Sequence, residues 1–523
     1  MSCGREADFV VIGMGAGGAL VLRMLKDAGF SAIGLESGVN YDKDPLISES
    51  TNAGIIEEQY GWKFFYQRPT INNKDLATTE HPNGRHLNYT TGRMLGGGTS
   101  INGMQYVRSP SEYWDRYAAI NGSRWNSTHI TNAYIQLENF FGVPGAYNPS
   151  VHGENGKMQI RQAPVTPSAQ NNKFVTALSQ ASGQPIIDDY NNPATPLGVF
   201  TRWSLFQNKD GTRASSSTDF LQPVMRDVIT GATVNKILLD SCGRASSVEV
   251  IIDGVCTRIR ARKEIIICCG IYSAELLQRS GVGDSAYLSS IGVNTIYHNP
   301  SVGKNLKNHM INIALFSANP SDYPGTGGDP NSLYVGGAFL PEEADSSKRG
   351  SQWIGVSISP GLFAVIFYVL HVQSTGDDRI QSKDPFTQGR TNEMLLNNPA
   401  DLNEIIRLYQ TTVLSLNEKF QAIDPSYKLI DPPPELIKDT ERLTVHIKNN
   451  IDHTHHWTGT CSMAPLNLGG VVDNRGKVYG VKGLRVADGS VLPIQARGNT
   501  AAPATVAAYV IARSIIEEYS IEY

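Results

Sequence analysis

At 523 residues the chain is too long for one ordinary hydrophobic core and predicts two or more domains, with apolar residues at 40% to fill them. Lys plus Arg number 45 and Asp plus Glu 49, a near balance that argues against nucleic acid or an anionic membrane as the main partner. No apolar run reaches the roughly eighteen residues of a membrane-spanning helix, so none is expected.

The chain begins Met1-Ser2-Cys3-Gly4-Arg5-Glu6-Ala7-Asp8, without a signal-peptide-like apolar region, and leads directly into a strand. Asn88-Tyr89-Thr90, Asn121-Gly122-Ser123 and Asn126-Ser127-Thr128 would accept glycans only in a secreted protein, so localisation stays open, as does oligomeric state. Six cysteines (Cys3, Cys242, Cys256, Cys268, Cys269, Cys461) contain no C-x-x-C, and neither a disulfide nor a metal role is expected of them. Cys268 and Cys269 fall in the apolar strand Glu264–Cys269, where buried free thiols are expected.

Phe9–Ile12 reads as a buried strand. Gly13-Met14-Gly15-Ala16-Gly17-Gly18 follows and matches G-x-G-x-x-G, then a helix over Ala19–Asp27 and a second strand over Ser31–Leu35 closed by Glu36. Each part has a task in holding a dinucleotide. Gly13 permits the tight turn, Gly15 lets the backbone approach a pyrophosphate, and Gly18 lets helix pack on strand. The helix N-terminus offers free N–H groups to the anion. Glu36 stands eighteen residues after Gly18, about where an acid accepts ribose hydroxyls. This loop does not by itself decide between FAD and NAD.

A second glycine cluster, Gly92-Arg93-Met94-Leu95-Gly96-Gly97-Gly98-Thr99-Ser100-Ile101-Asn102-Gly103-Met104, resembles the first signature of the glucose-methanol-choline (GMC) flavoprotein oxidoreductases. Ser109 departs from the residue usual at its position. The family's second signature appears in altered form at Cys269–Gly283, where Cys269, Gly270 and Ala274 are departures. Pro300–His309 looks like the family's P-G-V-G-x-N-L-x-D-H, with Ser301 and Asn308 as departures. The tail from His456 onward matches most closely, through Leu484–Ser490 and Gly498-Asn499-Thr500. The stretch Gln278–Asp284 with Tyr287–Val293 also looks like GMC-type proteins of giant viruses, which makes virion association one option.

The resemblance covers residues 6–120, 230–310 and 450–523. It implies a mixed α/β architecture: a Rossmann-like FAD-binding domain built from 6–149, 231–310 and 450–523, and a discontinuous sheet-plus-helices substrate domain from 150–230 and 311–449. Gly231–Ile237 and Ser247–Ile252 read as strands of a meander, and Gln352–Ser359 and Leu362–His371 as core strands. Glu404–Leu416 has the spacing of a surface helix, and Ser321–Asn331 reads as a loop.

By the same resemblance, FAD would be held by Gly13, Gly15, Ala16, Gly18, Glu36 and Ser37, by Arg93, Gly97, Gly98, Ser100, Asn102, Gly103 and Met104, and by Val234, Asp488, Asn499 and Thr500. Some family members attach flavin covalently through a histidine just before the loop's Asn; that position is Ile101 here, which implies non-covalent FAD. The implied reaction takes a hydride from an alcohol carbon to the flavin while a base takes the hydroxyl proton, with oxygen or another acceptor reoxidising the flavin. Histidine suits the base because its ordinary pKa is near about 6.5. Among His453, His455 and His456, the family spacing before Gly459-Thr460 selects His456. A metal site from this cluster is not expected, since no Cys or acidic pattern completes it. Eleven positions beyond Asp488 lies Asn499, whose amide can donate to an oxygen becoming an alkoxide. Its alternative role is an N-cap for the helix Thr500–Tyr519, whose positive end would face the flavin. The competing functions are a hydroxynitrile lyase of the same fold and a flavin-binding virion or structural protein without turnover.

Overall fold

The computed structural model describes residues 5–49, 65–70, 87–163, 168–324, 334–387 and 389–520. Cys3, the side chain of Asn88 and the part of the expected loop beyond Pro324 lie outside the described residues.

The first strand, Glu6–Ile12, runs through the middle of a seven-stranded sheet. Phe9, Val10 and Val11 are completely buried, as befits a strand apolar on both faces. Ala32–Leu35 pairs parallel on one side of it and Val255–Ile267 parallel on the other. Val255–Ile267 is long enough to serve two partners along its other edge. Its first half closes an antiparallel meander with Ala245–Ile252 and Ala232–Leu239, and its second half pairs parallel with Leu484–Val486. The helices Gly18–Asp27 and Ala501–Ser520 pack on each other beside this sheet. The expected strand Glu264–Cys269 therefore ends at Ile267, with Cys268 buried and Cys269 partly so. Cys242 and Cys256 are exposed free thiols at the meander turns.

A second sheet is antiparallel in the order Leu429–Asp431, Met310–Ser317, Leu362–Val369, Arg349–Ser359, Tyr334–Pro341, Gly198–Phe200. Its two faces differ because side chains alternate along a strand. Phe363, Val365, Phe367 and Val369 enter a core with Phe174 and Leu178 of the helix Ala169–Ser182 and with Ile405, Leu416 and Phe420. The opposite face turns toward the first sheet.

Three expectations are corrected. The helix expected over Glu404–Leu416 is a longer helical stretch from Pro399 to Ile423 with a wider turn at Tyr409–Val413; Ile405, Leu408, Val413 and Leu416 form a buried stripe, so it covers the second core rather than only the surface. Val228–Ile229, placed with the substrate-side segments, pairs parallel with Ala32–Leu35 in the first sheet. Asp452–His453, placed with the flavin-side segments, pairs with Met310–Ile311 at the edge of the second. Both pairings give partners to backbone N–H and C=O groups that would otherwise lack them.

Candidate active site

A cavity of about 900 Å³ lies between the two sheets. The two glycine loops form its floor. Gly13 has φ of +86°, and a Cβ there would sit 2.6 Å from the Cys268 carbonyl oxygen. A Cβ on Gly18 would sit 1.8 Å from the Gly13 carbonyl oxygen, so this glycine sets loop and helix packing and does not itself face the cavity. A Cβ on Gly15 would meet nothing closer than 3.9 Å, which leaves its backbone open to a ligand. Gly97, at φ +52°, approaches Gly15 so closely that a Cβ would lie 3.1 Å from the Gly15 Cα.

Gly13, Gly15, Ala16, Glu36, Ser37, Arg93, Gly97, Gly98, Asn102, Gly103, Met104, Val234, Asp488, Asn499 and Thr500 all line the cavity. Ser100 does not; it is fully buried and donates to the Leu95 carbonyl at 2.8 Å, closing the loop from behind. Glu36 accepts from the Met14 and Gly38 N–H groups, each at 2.9 Å. Asp488 accepts from the Gly270 N–H at 2.9 Å and from the hydroxyl of Ser273 at 2.6 Å. Burial raises both carboxyls above their ordinary range, against these hydrogen bonds. Arg213, which the sequence did not single out, donates to the Asn102 carbonyl at 2.7 Å and its side-chain oxygen at 3.0 Å. Burial pushes its guanidinium down to about 10.

These contacts leave a cradle of open backbone and buried acids around the space between the glycine loops. That donor set fits a dinucleotide: N–H groups for a pyrophosphate, a buried acid at the second strand end for ribose hydroxyls.

At the other side of the cavity stand His456 and Asn499. Asn499 Nδ2 lies 3.1 Å from His456 Nε2, and Asn499 Oδ1 accepts from Gln352 Nε2 at 2.9 Å. Gln352 thus fixes which end of the amide faces the histidine. The N-cap alternative places this side chain wrongly; Thr500 supplies the carbonyl that accepts the first helical N–H, from Ala504.

Hydrogen-bond accounting assigns the histidine tautomers. His309 Nε2 lies 3.0 Å from the Ala496 carbonyl, which can only accept, so that nitrogen carries the hydrogen. Burial pushes His309 down to about 3, so the ring is neutral and its Nδ1 is bare. That Nδ1 lies 2.9 Å from His456 Nδ1, which must donate. His456 is held well below its ordinary range, by burial first and then by the neighbouring His309 and His455. It is therefore neutral, with its lone pair on Nε2, facing Asn499 and the cavity. Asn308 Oδ1 accepts the His456 backbone N–H at 2.8 Å, and Gln495 Nε2 donates to the His456 carbonyl at 3.0 Å. Ring and backbone are both clamped.

The other two histidines also reach the wall of this cavity. His455 lines the cavity with its backbone at φ +62°, and His453 is buried with Nδ1 3.8 Å from Glu393. Among the described residues no three His, Cys, Asp or Glu side chains could hold a metal ion, and no helix is long and apolar enough to cross a membrane. Gln352, His309 and Tyr368 escaped the sequence reading. Asn308 and His309 sat at the end of the flagged Pro300–His309 run, which was the available signal; Gln352 and Tyr368 had none.

Comparison with known proteins gives the same family. The profile of the GMC oxidoreductase N-terminal part matches residues 7–311, and that of the C-terminal part residues 372–508. An uncharacterised GMC-type oxidoreductase of Mycobacterium tuberculosis is 27% identical, with 96% of this chain and 97% of the relative covered. An oxygen-dependent choline dehydrogenase of Sinorhizobium medicae is 27% identical, with 95% and 93% covered. The crystal structure of pyridoxine 4-oxidase from Mesorbium loti shares the fold at a TM-score of 0.85 and 20% identity, covering 97% of this chain and 98% of that one. The chain belongs to the GMC oxidoreductases, an FAD-dependent family, and is an enzyme.

Proposed function

We propose that the protein oxidises a small alcohol to a carbonyl compound, with His456 as the base and FAD held non-covalently. Bound FAD would supply the two-electron acceptor for the hydride leaving the carbinol carbon. The chain's own residues do the rest. His456 Nε2 takes the hydroxyl proton once the substrate oxygen takes the place of the Asn499 amide at its lone pair, which the neutral tautomer leaves unprotonated. Asn499 Nδ2 donates to the substrate oxygen as it becomes negative, and Gln352 holds the amide in the orientation that does so. The bond between His456 and His309 disperses the charge that His456 gains.

The observation that carries this reading is the 3.1 Å approach of His456 Nε2 to Asn499 Nδ2 at the wall of a cavity whose floor is the two glycine loops. Ile101, a cavity-lining side chain with no nucleophile, supports non-covalent attachment. Anaerobic mixing with an alcohol panel, followed by air, tests the reaction. Bleaching of the flavin reports turnover, and the speed of recovery reports whether oxygen is the acceptor. Persistent yellow colour with every alcohol, from a fully loaded protein, would remove the proposal. Acid precipitation should release all the flavin; flavin retained on the denatured chain would overturn the non-covalent assignment.

A further inference from the structure

The face of the second sheet above His456 is built by strand register. Gln352 pairs with Tyr368, Ile354 with Ile366, and Tyr334 with Val356. Ile313 pairs with Ile366, which places Ile311 on the same face, beside Tyr368. Of these, Ile311, Tyr334, Ile354, Ile366 and Tyr368 line the cavity. The roof over the reacting position is thus three isoleucines flanked by two tyrosines. Tyr334 already donates its hydroxyl to the Gly103 carbonyl at 3.0 Å.

The charged side chains that line the cavity lie elsewhere or are engaged. Glu36 and Asp488 serve backbone N–H groups of the floor. Arg279 pairs with Glu275 at 3.4 Å. Arg93 stands on the second glycine loop. Asp452 pairs across from Ile311 at the sheet's edge, accepts its neighbour's N–H from His453 at 2.8 Å, and keeps 55% of its side chain exposed. A carboxylate so exposed gives a cation little net attraction. Among the described residues no buried carboxylate stands on the roof to compensate a cation held there.

Resting on the proposed alcohol oxidation, we infer that the substrate is a neutral alcohol with an apolar body, excluding polyhydroxylated and quaternary-ammonium alcohols. The Tyr368 hydroxyl, buried without a partner among the described residues, could meet one second hydroxyl, but the isoleucines offer no hydrogen bond, and a polar group buried against them without a partner is disfavoured about tenfold or more. A methylene buried against them is favoured by about fourfold.

The test uses the flavin-loaded enzyme with three series: straight-chain primary alcohols of increasing length, their hydroxylated counterparts, and choline. Both the rate of anaerobic flavin bleaching and binding, read from the perturbed spectrum of oxidised flavin, are measured. The expected result is a kcat/KM rising about three- to fourfold per methylene until the roof is filled. Each hydroxyl added where it falls against the isoleucines should lower it about tenfold or more, and Asp452→Asn should leave the ranking unchanged. Ile366→Thr should flatten the length dependence while flavin content stays that of the wild type; Ile354→Val, a smaller change, serves if that variant misfolds. Choline or a polyol reacting fastest, or Asp452→Asn abolishing a choline preference, overturns the substrate class and leaves alcohol oxidation standing. No bleaching in any series, with binding that does not change with chain length, removes both. Binding that tightens with chain length, without bleaching, keeps the roof assignment and removes oxidation alone.

Discussion

Replacing His309 tests the proton arrangement without touching the cavity wall. His309 lies behind His456 and does not line the cavity, so its loss should leave substrate contacts intact. In His309→Leu, the His456 Nδ1–H loses the acceptor it meets at 2.9 Å. A buried N–H without a partner costs about 1–3 kcal/mol. At about 1.4 kcal/mol per factor of ten, a central 2 kcal/mol moves the tautomer balance about thirtyfold. The other tautomer offers no active route. Its Nε2–H would need Asn499 to present its oxygen, breaking the 2.9 Å bond from Gln352 and turning the donor away from the substrate. The expected outcome is flavin reduction about thirtyfold slower, with KM and flavin content close to wild type. His309→Asn, whose side-chain oxygen can accept, should recover part of the loss. Stopped-flow reduction under saturating alcohol is the assay. A folded, loaded His309→Leu protein reduced at the wild-type rate would refute the reasoning.

Further outcomes follow from the same geometry. His456→Ala should slow flavin reduction by about a hundredfold to ten-thousandfold, the range for losing a general base; equal rates would take His456 out of the reaction. Because burial lowers the His456 pKa in the folded protein, the competent neutral form persists as pH falls through 6.5, so kcat/KM should hold down to well below that value. An acid limb centred at or above 6.5 would contradict the tautomer assignment. Asn499→Ala should cost about a hundredfold or more in reduction rate through loss of the oxygen's donor, read by the same stopped-flow trace. Gly18→Ala would bring a Cβ to 1.8 Å from the Gly13 carbonyl, forcing the loop open; lowered flavin content and a lowered melting temperature are expected, and a fully loaded variant of wild-type stability would show that the loop can yield.

What the sequence disclosed and what it hid follow from how far each constraint reaches. The turn at Gly13 and the close contact at Gly18 depend on backbone sterics over a few residues, so G-x-G-x-x-G was readable. His456 was picked from three neighbours by its spacing to Gly459-Thr460, a local pattern. Gln352 meets Asn499 only because one sheet registers above one helix end, a meeting of positions 147 apart in sequence. Periodicity along a strand cannot show that. Helical spacing in Glu404–Leu416 was visible, but not that its apolar stripe had a partner in Phe174 and Leu178. The pairing of Val228–Ile229 with Ala32–Leu35 was equally invisible, since two residues carry no period.

The clasp between Gln352 and Asn499 has a consequence for transplantation. His456 follows three residues after a strand hung on the edge of the second sheet, while Asn499 stands at the head of a helix belonging to the first. The proposed base and donor therefore straddle a seam, with Gln352 as its stitch. Exchanging the second sheet for a relative's, to graft a new preference, would also replace the residue that aims the amide. A chimera that imports a new roof but omits a glutamine at this position would hold flavin and substrate yet misdirect its donor, so the unit of exchange must include the stitch as well as the walls.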